Sequence, residues 1–137
     1  MLRVATLILA VIVASAAHGE DKVAVVLDLS VGSWKSLDDG TPAFVAARSA
    51  LASWILELPP ELSVELRTVG GASPATDLSS CRDSRTEVPP GPIVANAWHQ
   101  TLVGFRASGL RPLLLGVGAA ASDLGTGDER RRIIVVT

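Results

Sequence analysis

Val23-Ala24-Val25-Val26-Leu27 is an unbroken apolar run, mostly valine, and Ile133-Ile134-Val135-Val136 is a second one far along the chain. A strand with one wet face alternates apolar and polar residues, whereas a strand covered on both faces does not. Both runs therefore predict doubly buried strands of a parallel sheet with helices on its two faces. Directly after the first run come Asp28, Ser30, Gly32 and Ser33. They fall at the carboxyl end of the strand, where open α/β sheets bind ligands. A carboxylate and hydroxyls are hard oxygen donors, suited to Mg²⁺, Mn²⁺ or Ca²⁺ rather than zinc or copper. Asp28, Ser30 and Ser33 are thus the candidate metal ligands, and Mg²⁺ is the candidate cofactor.

The segments between the two runs read in alternation. Thr41 and Pro42 suit the N-cap and first position of a helix, and Phe44, Ala47, Leu51, Trp54, Ile55 and Leu58 recur at helical spacing up to Pro59-Pro60. Leu62, Val64 and Leu66 alternate with Ser63, Glu65 and Arg67, which predicts a strand with one wetter face, nearer a sheet edge than the Val23 strand. Residues 69–85 read as loop, and Thr86–Val88 as a short strand. Ile93–Ala107 and Leu113–Leu124 read as helices, the first with Ile93, Ala97, Leu102 and Phe105 as core contacts. This order predicts a doubly wound, mostly parallel α/β domain. Ending on a buried strand, the domain is expected to be incomplete at its C-terminus.

With 137 residues the chain holds one domain. Arg3 and the uncharged apolar stretch Val4–Ala17 predict an export signal over residues 1–19, cleaved after Ala16 or Gly19. The stretch is too short for a membrane span. The domain proper is then 20–137, secreted or periplasmic, with no stable membrane span. Its formal charge moves from -2 to about -3 on losing Arg3. That balance gives no reason to expect nucleic acid or an anionic membrane as partner. Cys81 is the only cysteine. In an exported chain it is a buried thiol, a link to another chain, or half of a lost pair.

In serial order these pieces resemble a von Willebrand factor type A domain of exported bacterial type. Val25-Val26-Leu27-Asp28-Leu29-Ser30 followed by Gly32-Ser33-Trp34 looks like that family's first strand and its Asp-x-Ser-x-Ser metal-ion-dependent adhesion site. The helix at 46–51, the strand at 62–67, the cysteine loop Cys81-Arg82-Asp83, the turn Val88-Pro89-Pro90-Gly91-Pro92, the Gly109–Leu113 turn and the closing strand follow in the family's order. The resemblance implies a non-enzymatic binding module with a protein or peptide ligand. It also implies a divalent cation that an acidic group of the partner completes, and a partner cysteine for Cys81 beyond Thr137. The chain departs from the motif. Gly32 stands where the second serine belongs and Ser33 is one residue late. Arg111 replaces the turn threonine, and the late aspartate would lie beyond Thr137. A guanidinium there would oppose a cation, and its charge cannot be titrated away. The metal site is therefore read as degenerate, with Asp28 and Ser30 capping loops or pairing with Arg111.

Competing patterns are weaker. Gly116-Val117-Gly118-Ala119-Ala120-Ala121 matches a Gly-x-Gly-x-x-Ala dinucleotide pattern, which would make the chain a nucleotide-binding enzyme fragment. The stretch before it is short, and two glycines would cost a helix roughly 1 kcal/mol each. His99, beside Trp98, reads as a surface or half-buried histidine. Ser30 lacks a Gly-x-Ser-x-Gly elbow, and with one remaining histidine and nothing that pairs it with a serine, a hydrolase is a poor reading. Trp54 reads as core and Trp34 as the rim of the loop after the first strand. The Arg130-Arg131-Arg132 run reads as a solvated lead-in to the last strand.

Overall fold

The computed structural model describes residues 20–137; the segment read as an export signal lies outside the described residues. Among these residues four strands form one sheet: β1 (Lys22–Asp28), β2 (Ser63–Val69), β3 (Ser84–Val88) and β4 (Arg131–Val136). Their order is β3-β2-β1-β4, with β1 parallel to both β2 and β4, and β3 antiparallel to β2. β1 is thus hydrogen-bonded along both edges, and it carries no wet face because both of its faces are covered. Three α-helices of the described residues cover the sheet: α1 (Ala43–Trp54), α2 (Ala95–Gly104) and α3 (Leu113–Asp123). Val23, Val25 and Leu27 meet the α1–α2 layer, with Phe44, Leu51, Trp98 and Leu102. Ala24 and Val26 meet α3 through Ala120 and Leu124. This is the doubly wound α/β arrangement that the two apolar runs predict. Burial of each large side chain in these layers contributes about 2–3 kcal/mol.

Several details differ from the sequence reading. β2 has no wet face: every residue from Ser63 to Val69 is buried. The polar half of its alternation points at α3, where the Arg67 guanidinium reaches Glu65, Ser84, Thr86 and Asp123. Nor is β2 nearer an edge than β1, since both are inner strands. β4 is not doubly buried either. It is an edge strand, with Ile133, Ile134 and Val136 half-buried and Val135 exposed. The segment 69–85 is not all loop, for it holds a 3₁₀ turn at Leu78–Arg82 and the start of β3. α1 begins one residue late, because Pro42 keeps an extended ψ of 135° and Thr41 is held in a turn by the Asp39 carboxylate. In α2, Leu102 is buried as expected, but Ala97 faces solvent and Trp98 is the other deeply buried residue.

Candidate functional site

The carboxyl end of β1 runs on past Asp28 as extended chain. The Leu29 N–H donates to Val69 O, the Ser108 N–H to Leu29 O, and the Val31 N–H to Gly109 O. The segment after α2 therefore lies alongside β1 as a short parallel neighbour, bridged at Ser30 and Gly109. Two glycines permit this approach. Gly70 sits at φ +77°, a left-handed conformation that side chains rarely adopt. A Cβ on Gly109 would collide with Gly70 O and Ser80 Oγ. Buried polar side chains hold the loops from behind. Asp83 accepts from the Ala72 and Ser73 N–H groups, and Ser80 Oγ accepts from the Leu110 N–H at 2.6 Å. The next residue, Arg111, is thereby placed over the end of β1.

Asp28, Ser30 and Ser33 are all buried, at 1%, 2% and 6% exposure, and the fold brings them together. Asp28 Oδ1 accepts from the Ser30 N–H at 2.8 Å, and Oδ2 accepts from the Thr137 hydroxyl at 3.2 Å. Oδ2 also faces Arg111 Nε at 2.6 Å, and the same Nε donates to Ser30 Oγ at 3.3 Å. Ser33 belongs to the 3₁₀ turn Val31–Trp34, and its hydroxyl donates to Ser30 O at 2.6 Å. Gly32 leaves room for the guanidinium, since a Cβ there would lie 3.0 Å from Arg111 Nη2. The pairing of Asp28 and Ser30 with Arg111 is thus present in the structure.

This arrangement does not fit a divalent cation. Mg²⁺ needs oxygens at about 2.0–2.1 Å, and the space beside Asp28 Oδ2 and Ser30 Oγ is taken by a guanidinium. A doubly charged ion about 4 Å from that group would be repelled by roughly 8 kcal/mol at an effective dielectric of 20. Ser33 directs its hydroxyl at a carbonyl, and among the described residues no three His, Cys, Asp or Glu side chains form a metal-binding group.

Trp34, read as rim, is 48% exposed; its Nε1–H donates to Ala107 O at 2.8 Å and its ring meets Phe44 edge-on at 4.6 Å. Val31 on the same turn is 49% exposed. The dinucleotide pattern lies in the wrong place for its chemistry. Gly116 and Gly118 are inside α3, with no strand leading into them. Gly116 instead lets the helix close on Val69 and Val26, while Gly118 faces open space. Trp54 is half-buried rather than core, and His99 is exposed. Cys81 is exposed, which removes the buried-thiol reading.

Sequence reasoning missed a buried charge cluster on the α3 face. Glu65 is fully buried and accepts from Arg67 Nε at 3.2 Å, while its Oε2 has no hydrogen-bond partner among the described residues. Burial, and then the neighbouring Asp123, push its pKa up to about 7. Asp123 is held below its ordinary value, chiefly by the hydrogen bond from Arg67. The alternation Val64-Glu65-Leu66-Arg67 looks like an ordinary half-wet strand, so nothing local marks the cluster.

No family model matches the chain, and no curated protein matches it. Among solved structures, it is similar to the crystal structure of the SpRpn10 VWA domain, with a TM-score of 0.60 at 13% identity. The match covers 85% of this chain and 59% of that one, so the chain spans less than two thirds of that chain's length. The likeness is one of fold: the architecture is that of a von Willebrand A-like domain. Among the described residues, no helix is long and apolar enough to cross a membrane.

Proposed function

We propose that this chain is an exported, non-enzymatic binding module that meets a protein or peptide ligand at the loops following β1. The carrying observation is the Val31–Trp34 turn. It presents two large apolar side chains to solvent, Val31 and Trp34, on the turn whose Gly32 lies against Arg111, at the carboxyl end of β1, where open α/β sheets take their ligands. Tryptophan and arginine are the residue types that dominate binding energy at protein interfaces. Trp34 is also pre-positioned by its indole hydrogen bond and its contact with Phe44, so little side-chain freedom is lost on binding. The von Willebrand A-like fold supports the same reading by analogy.

A random peptide display selection against the full chain tests it. Selected peptides should compete with one another and lose at least about tenfold in affinity on Trp34→Ala, a change at a half-exposed site that leaves the core intact. Failure to select any ligand, or ligands indifferent to Trp34 and Val31, would overturn the reading.

A further inference from the structure

We propose that Arg111 takes the part of a bound cation at the end of β1: it neutralises Asp28 on its inner side and offers its outer nitrogens to a carboxylate of a partner peptide, with no metal ion involved. The inference rests on the binding-module reading above and names the ligand chemistry of that same site. A positive group over Asp28 can do two things, hold the strand-end oxygens together and meet an acidic group from outside. Arg111 meets the first through Nε, which faces Asp28 Oδ2 at 2.6 Å and donates to Ser30 Oγ at 3.3 Å. The second is open to it by shape. Among the described residues, Nη1 and Nη2 donate no hydrogen bond, and the side chain is 47% exposed while that of Asp28 is fully buried. One edge of the guanidinium is therefore committed inward and its far edge is available. That far edge is a planar fork of N–H donors that matches the two oxygens of a carboxylate.

The surroundings favour the same occupant. Gly32 has no side chain to cover Nη2. Val31 and Trp34, each about half exposed, flank Gly32 on the same turn and give a ligand apolar surface next to the guanidinium's edge. Arg111 is held by a buried acceptor, so its fork is pre-organised. The Asp28–Arg111 pair is neutral overall, so attraction comes from the directed fork rather than from net charge. A carboxylate is therefore preferred to a neutral amide by geometry, and binding needs no cation in solution.

The test is a nuclear magnetic resonance titration of the ¹⁵N-labelled full chain with acetyl-Gly-Glu-Gly-amide, and with its Gln counterpart as control. The Arg111 Nε–Hε and Trp34 indole signals report the site. The Glu peptide should shift both saturably, the Gln peptide should not, and affinities in EDTA and in added Mg²⁺ should agree within about twofold. Arg111→Gln should weaken binding at least about tenfold, and Arg111→Lys, a point charge without the fork, by an intermediate factor. Backbone spectra of both variants check that they are folded, and Arg111→Lys keeps the charge opposite Asp28 if the glutamine variant is not. A shift that requires Mg²⁺, that the Gln peptide reproduces, or that survives Arg111→Gln would overturn the proposal. So would no shift under any condition. In each case the display selection, mapped through Trp34, still decides separately whether these loops bind peptides.

Discussion

Asp28 and Arg111 are far apart in sequence and meet in space at 2.6 Å. The carboxylate and its position were legible, because a polar residue ending a valine run stands at a strand's carboxyl end whatever the family. The arginine was legible only as a departure from a resembling motif. Its contact depends on the chain after α2 running beside β1, which no local pattern encodes. The two glycines of α3 show the same division. Their spacing suggests a phosphate loop, yet their environments are opposite. A Cβ at Gly116 would press into Val69 and come within 3.3 Å of Val26 Cγ1, while one at Gly118 meets nothing. Gly116→Ala is therefore expected to lower stability by about 1–2 kcal/mol, overpacking outweighing the gain in helix propensity. Gly118→Ala should raise it by about 0.5–1 kcal/mol. Urea denaturation of both variants checks the pair. Equal effects would mean that α3 does not sit against the sheet as described.

At the scale of elements, β2 and α3 are joined by charge as well as by packing. Glu65 lies under α3 with Arg67, and Asp123 closes the cluster from the end of the helix. Because the pKa of Glu65 rises from 4.5 to about 7 on folding, the folded state holds a proton that the unfolded chain has released across that window. The proton-linked stabilisation is thus complete below pH 4.5 and is lost as pH rises towards 7. Asp123, shifted downward, acts in the other direction, but only as pH falls through the acid range. Glu65→Gln mimics the protonated carboxyl: its amide oxygen can accept from Arg67 and its NH₂ can donate towards Asp123. The variant should match the wild type near pH 5 and exceed it near pH 8 by about 1–3 kcal/mol, measured as melting temperature against pH. Parallel profiles would show that Glu65 does not carry the proton. The alternating sequence of β2 was legible as a strand, but not the burial of its polar half, since alternation cannot tell water from an internal partner.

Across the whole molecule, the alternation of strands and helices and the two unbroken apolar runs were enough to read a doubly wound sheet. They did not reveal which strand is central. β1 is paired on both sides, whereas β4, equally apolar, is paired among the described residues only with β1. The free edge of β4 carries charge at its start, at Arg131 and Arg132, and none from Ile133 to Val136. Beside it, Ala47, Ala50, Leu51, Trp54, Ile134 and Val136 line an apolar hollow of about 310 Å³ between α1 and the sheet. An apolar, unpaired edge is a template for pairing with another strand. The described domain is therefore expected to associate as its concentration rises. Val135 is the place to test this, because its side chain is 38% exposed and pairs in register with Val26 on the α3 face. A lysine there keeps its stem against the sheet and its charge in water, which opposes edge-to-edge pairing without opening the core. Val135→Lys should give a sedimentation coefficient independent of concentration where the wild type's increases. A wild type that sediments as a monomer throughout would mean that the charge of Arg131 and Arg132 already protects this edge.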